Sequence, residues 1–173
     1  MSTVQERKGI YTLPLSVVSA AIWDKYDGHG LVKDVLVLGR TVDEAGRMHS
    51  RRLLTMMGNP PAIFKPFFGT RPFYLLEEVT VDLPANRMEV QVVNMSFTSF
   101  IESSSTSVYT PCDNDGNRTD YTITVRTSAS IRGGGWAGAG MARKLEEFVS
   151  GRLMGNVKEG EKVLMKWAEG ASE

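Results

Sequence analysis

Residues 119–168 read TDYTITVRTSASIRGGGWAGAGMARKLEEFVSGRLMGNVKEGEKVLMKWA, and the architecture turns on the change of period inside this stretch. Up to Ile131 the side chains alternate. Tyr121, Ile123, Val125, Ala129 and Ile131 share one face, and Thr122, Thr124, Arg126 and Ser128 the other. A period of two describes a strand with one face on a core and one in water. Gly133-Gly134-Gly135 breaks the alternation, and from Trp136 to about Ala168 the apolar residues recur at helical spacing. With Met141 at zero and roughly 100° per residue, Leu145, Phe148, Val149, Leu153, Val163, Leu164 and Trp167 fall on an arc from about −20° to about 140°. One long amphipathic helix after the last strand leaves no place for a βαβ unit. The expectation is an α+β chain in which a curved antiparallel sheet grips a terminal helix and leaves a cavity between them.

The same reading carried toward the N-terminus predicts about seven strands. They cover Ile10 to Leu15, a stretch around Asp34 to Gly39, Met48 to Met57, Phe73 to Leu83, Met88 to Phe97, Phe100 to Thr110 and Thr119 to Ile131. Turn residues separate them at Asp43-Glu44-Ala45-Gly46, Pro84-Ala85-Asn86 and Asp113-Asn114-Asp115-Gly116. A short helix is expected over Val17 to Tyr26, capped by Ser16 and ended by Asp27-Gly28-His29-Gly30. One stretch resists the ladder. Asn59 to Arg71, NPPAIFKPFFGTR, holds three prolines yet carries Ile63, Phe64, Phe67 and Phe68. Such an apolar loop either packs its own small core or serves as a lid or membrane-inserting element.

A chain of 173 residues with 42% hydrophobic and 23% charged residues has the composition of one globular domain spanning 1–173. Twenty basic residues balance twenty acidic ones, so the positive field of a nucleic-acid binder is missing. Residues 1–71 are nevertheless mildly basic, with 10 basic and 6 acidic side chains. Cys112 is the only cysteine, which excludes an internal disulfide and a cysteine-based zinc site. No segment reads as a signal peptide or a membrane span.

Catalytic signatures are thin. His29 and His49 lack metal-ligand spacing, and neither G-x-S-x-G nor a P-loop occurs. Gly133 to Gly138 matches G-x-G-x-x-G but lacks the following parallel strand, and reads as a hinge. No nucleophile–base pair stands out, so binding or transport is expected rather than catalysis, with no metal or cofactor. The informative charges lie in apolar settings. Arg152, near 20° on the helical wheel, and Asn156, near 60°, interrupt the apolar stripe, so Arg152 requires a buried partner such as Glu77 or an anionic ligand. Arg51 and Arg52 stand in tandem on a strand, and alternation sends Arg52 inward with Leu54 and Met56. Lys25 and Lys65 are further candidate anion contacts.

Trp23-Asp24-Lys25-Tyr26, Arg40-Thr41-Val42-Asp43, Ser50-Arg51-Arg52-Leu53-Leu54-Thr55, Tyr74-Leu75-Leu76-Glu77, Val81-Asp82, Asn94-Met95-Ser96-Phe97, Glu147-Phe148 and Asn156-Val157 run in order over nearly the whole chain. Together they carry a resemblance to the PRELI-like family of mitochondrial lipid-transfer proteins. It implies a helix-grip, START-like fold that moves one anionic glycerophospholipid, phosphatidic acid or phosphatidylserine, within the mitochondrial intermembrane space. It also implies transient contact with a membrane surface and a small helical partner with paired cysteine motifs. Residue by residue, the family's lid matches Pro60 to Thr70, with Ile63, Phe64, Lys65, Phe67 and Phe68 toward the membrane. Its head-group contacts match Lys25, Arg52, Arg152, Asn156 and Lys158. The chain departs from relatives that carry phosphatidic acid where Thr55, Met56, Met57 and Asn59 replace basic residues, and His29 is displaced. The alternative is a protein-interaction or assembly factor of the same compartment without lipid cargo.

Overall fold

The computed structural model describes residues 2–27, 30–58, 60–112, 115–131 and 135–170. The elements in chain order are β1 (Ser2–Tyr11), α1 (Leu15–Asp24), β2 (Val32–Val42), β3 (Met48–Met56), a 3₁₀ turn (Ala62–Phe64), α2 (Lys65–Phe68), β4 (Phe73–Asp82), β5 (Arg87–Asn94), β6 (Ile101–Cys112), β7 (Asp115–Ala129) and α3 (Gly135–Gly170). The strands form one seven-stranded sheet in the order β1-β7-β6-β5-β4-β3-β2, and every neighbouring pair is antiparallel. The helices lie on its inner face, giving the expected α+β helix-grip architecture.

Alternation held best where one face meets the core. On β7, Tyr121, Ile123, Val125, Thr127 and Ala129 are all buried. The β2–β3 turn forms as its residues predict: Asp43 accepts the Ala45 and Arg47 amides through Oδ1 at 3.0 and 2.9 Å, and Gly46 takes the positive φ of 79°. His49 and Arg47 hydrogen-bond Asp43, and with the backbone amide they hold its carboxyl well below the usual carboxylate range.

The first two elements are shifted from the sequence expectation. The first strand is Ser2–Tyr11 rather than Ile10 to Leu15, and its inward residues Thr3, Gln5, Arg7 and Gly9 carry no apolar pattern. The reason is what they face. Thr3 donates to Glu146 at 3.2 Å and Arg7 pairs with Glu161 at 2.7 Å, both on α3, so this edge strand meets a polar side of the helix. Helix α1 begins at Leu15 behind Pro14, with no side-chain cap, so Ser16 is not its N-cap. Strand β5 stops at Asn94 instead of running to Phe97. The Asn94 side chain bonds Ser96 and the Ile101 carbonyl and turns the chain, while Phe97 takes a positive φ of 56°. The expected turn at Asp113-Asn114, the hinge at Gly133-Gly134, His29 and Asn59 lie outside the described residues, as does the Trp167 side chain.

Two apolar clusters fill the grip. The larger one packs α1 (Val18, Ala21, Ile22) and Leu164 of α3 against Val79, Met88, Val90, Ile123 and Val125. The smaller one joins Phe64, Ile101, Ala129 and Leu145. Helix α3 is tied at both ends, by Glu146 accepting the Ala129 amide at 2.8 Å and by Glu161 accepting the Tyr121 hydroxyl at 2.5 Å. Burial and the Glu161 hydrogen bond together raise the Tyr121 pKa, so the phenol stays a donor at neutral pH.

Gly9 is required by a close approach. A Cβ there would lie 2.4 Å from the Tyr121 hydroxyl oxygen, and that ring is stacked on Tyr11 at 4.7 Å between centroids. Gly9→Ala is therefore expected to cost about 1–3 kcal/mol through overpacking, read as a lower urea midpoint at unchanged slope.

Candidate functional site

The residues that the sequence singled out separate into two groups. The first is a buried ionic cluster under the end of α1. Cross-strand register places Arg52 of β3 directly opposite Glu77 of β4 on the inner face. Arg52 is 2% exposed and Glu77 is fully buried. The Arg52 guanidinium grips Glu77 Oε1 through Nε, at 2.8 Å, and Nη2. It also donates to the Trp23 and Ile22 carbonyls at 3.2 Å each, satisfying the C-terminal turn of α1. Lys25 Nζ reaches Glu77 Oε2 at 2.6 Å, and the Tyr26 hydroxyl donates to the same oxygen at 2.5 Å. Burial alone would raise the Glu77 pKa. Lys25, Arg52 and Tyr26 outweigh it and hold the carboxyl below its ordinary value. Burial and the facing carboxylate push the Tyr26 phenol well above its own.

The second group surrounds a cavity of about 970 Å³, counting the solvent at its open mouth. Its floor is the ends of β3 to β6, through Met56, Phe73, Leu75, Asn94, Ile101 and Ser103. One wall is the middle of α3, with Phe148, Val149, Arg152, Leu153 and Asn156. The roof is the proline-rich segment. Pro60, Phe68 and Gly69 line the cavity, and the phenylalanines fasten the roof to the body. Phe64, 3% exposed, packs on Phe148 with ring centroids 5.5 Å apart; Phe67 meets Phe100 at 5.8 Å and Phe68 meets Phe97 at 5.0 Å. The loop thus both packs a small core and covers a cavity. Ile63, 46% exposed, and Lys65 point outward.

Of the five basic and amide residues named from sequence, only Arg152 and Asn156 line the cavity. Lys25 and Arg52 close on Glu77 instead, and Lys158 is exposed on α3 without reaching the lining. The expected Arg152–Glu77 pair does not form, because Lys25 and Arg52 already saturate Glu77. Arg152 is exposed rather than buried: the apolar stripe of α3 here faces the cavity rim, where a long side chain keeps its charge in water while its guanidinium lies 5.7 Å from the Phe148 ring centroid. Arg71 also lines the cavity and was missed. Its only signal in the sequence is that it is the cation ending the apolar loop. Among the described residues neither Arg71 nor Arg152 forms an ion pair. An apolar chamber with cations at its edge suits an amphiphile with an anionic head. No group of His, Cys, Asp and Glu among the described residues could hold a metal ion, and no described helix is long and apolar enough to cross a membrane.

Glu77→Gln leaves a fully buried guanidinium without its counter-charge and is expected to cost about 3–5 kcal/mol in urea unfolding. Because the native Glu77 pKa lies below the unfolded value of about 4.3, its contribution is complete above that pH and disappears as pH falls through the native pKa. The variant should therefore show a flatter loss of stability on acidification than the wild type.

Residues 16–170 match the model of the PRELI-like family. The chain is 26% identical over 129 residues to a slowmo homolog of Dictyostelium discoideum, covering 74% of this chain and 54% of that protein. It is 30% identical over 105 residues to a UPS-like protein of Schizosaccharomyces pombe, covering 59% and 57%. It thus spans little more than half the length of these curated relatives. Among solved structures it resembles the Zhui aromatase/cyclase of a Streptomyces species, with a TM-score of 0.66 and 12% identity over 100% of this chain and 97% of that one. It also resembles a START superfamily protein of Mycobacterium smegmatis, with a TM-score of 0.59 and 9% identity over 95% and 98%. At such identities these structures speak for the fold alone. A match over nearly the whole length, on a helix-grip scaffold with a roofed apolar cavity, places this chain in the PRELI-like family.

Proposed function

We propose that this protein carries one anionic glycerophospholipid at a time between membranes, with phosphatidic acid favoured over phosphatidylserine. The observation that carries this reading is an apolar cavity whose rim bears Arg152 and Asn156 under an aromatic lid. Acyl chains would lie between sheet and helix, and the phosphate would meet the guanidinium where the medium is only partly aqueous. Family membership and the START-like fold support lipid binding or transfer. The mitochondrial intermembrane space, and a small helical partner with paired cysteine motifs, belong to the proposal on the family resemblance. Carriage is stoichiometric and breaks no bond, so the protein acts as a carrier and not as an enzyme.

The test is transfer of fluorescent phosphatidic acid and phosphatidylserine between liposomes, with and without the small partner. Arg152→Glu is expected to slow transfer about tenfold or more by replacing attraction with repulsion. Ile63→Asp should slow it too while leaving the melting temperature in place, since Ile63 is exposed on the roof and is there the apolar side chain offered to a membrane surface. No transfer and no co-purifying lipid under either condition would favour an interaction or assembly factor without cargo.

A further inference from the structure

We propose that Arg71 and Arg152 are the two jaws of one phosphate clamp, and that a lipid phosphate monoester held between them keeps the lid shut. This rests on the reading of the cavity as a lipid site and assigns Arg71 to it.

The two arginines belong to parts with different freedom to move. Arg152 sits in the middle of α3, which is anchored at one end through Glu146 and at the other through Glu161. Arg71 lies on the short arm that leaves α2 at Gly69, where φ is +61°, and enters β4 at Phe73. Arg71 thus stands at the root of the lid, between Gly69 and β4, across the cavity lining from the anchored helix. Both side chains line the same cavity, and neither has a carboxylate partner among the described residues. The cations deeper in the fold, Lys25 and Arg52, are committed to Glu77 and do not reach the lining.

Without a ligand the lid closes on its phenylalanine contacts alone. A phosphate adds a link between the lid's root and α3. It accepts paired hydrogen bonds from each planar guanidinium, and Asn156, one turn along from Arg152, supplies a neutral donor. Two guanidinium charges match the charge of close to two on a phosphate monoester. A diester carrying an ammonium presents less net negative charge to the same pair. Cargo binding and lid closure thus become one event, and release requires the phosphate to be exchanged for the surface of an acceptor membrane.

The experiment is amide hydrogen exchange of residues 62–70 together with lipid extraction from phosphatidylcholine vesicles. The vesicles carry phosphatidic acid, phosphatidylserine or diacylglycerol, and inorganic phosphate alone is a further arm. In the wild type the lid should gain protection with phosphatidic acid, less with phosphatidylserine and none with diacylglycerol. Arg71→Gln should lose that protection and extract phosphatidic acid about ten- to a hundredfold more weakly. Its melting temperature should not change, because Arg71 is exposed, and Arg71→Lys should recover only part of the affinity. An Arg71→Gln protein that extracts phosphatidic acid and protects its lid like the wild type would overturn the clamp while leaving the lipid cavity standing. Equal protection by inorganic phosphate would mean a free-anion site instead of a lipid latch. A wild type that extracts no lipid from any vesicle would remove the carrier reading and the clamp together.

Discussion

The constraint on which the structure depends is the burial of Glu77. A carboxylate removed from water is tolerable only if its charge is answered nearby, and here Arg52, Lys25 and Tyr26 answer it from two elements. Each partner brings its own consequence. Arg52 fixes the β3–β4 register, since a slip of one residue would turn the guanidinium outward and leave the carboxylate alone. The same guanidinium caps the last carbonyls of α1, so helix and sheet are locked by one side chain. Once these cations are committed, an anionic ligand must be met by others, and the free arginines stand at the cavity.

The cavity lies where one side of the middle of α3 stands over the ends of β3 to β6. Glu146 and Glu161 fasten the helix to β7 across the sheet, and the stretch from Phe148 to Asn156 bridges the gap. Ser150 on α3 and Thr127 on β7 are both fully buried, so the opposite side of the helix is packed against protein. Phe64 from the lid meets Phe148 on this same stretch, so roof and wall are packed together.

Much of the fold was legible where a residue's environment is set by its neighbours in the chain. The alternation of Tyr121, Ile123 and Val125, the change of period after Ile131 and the turn chemistry of Asp43 and Gly46 all express local rules, and the structure follows them. The inward side of Arg52 came from the same alternation. β1 escaped because its inner face meets Glu146 and Glu161, more than a hundred residues away, and a strand that faces carboxylates carries no hydrophobic signal. The helical wheel placed Arg152 in an apolar stripe correctly and misjudged its burial, because a wheel records which residues share a face and not whether protein or space lies opposite.

The sequence by itself determined the architecture and the family, and it singled out Arg152 and Asn156, since periodicity, proline content and short motifs are properties of the linear chain. Only the tertiary structure decided how the basic residues divide. It sent Lys25 and Arg52 to Glu77, and it brought Arg71 to the same cavity as Arg152. The reason is physical: a charge settles with whichever opposite charge the folded backbone brings within about 4 Å, and no spacing along the chain records that distance.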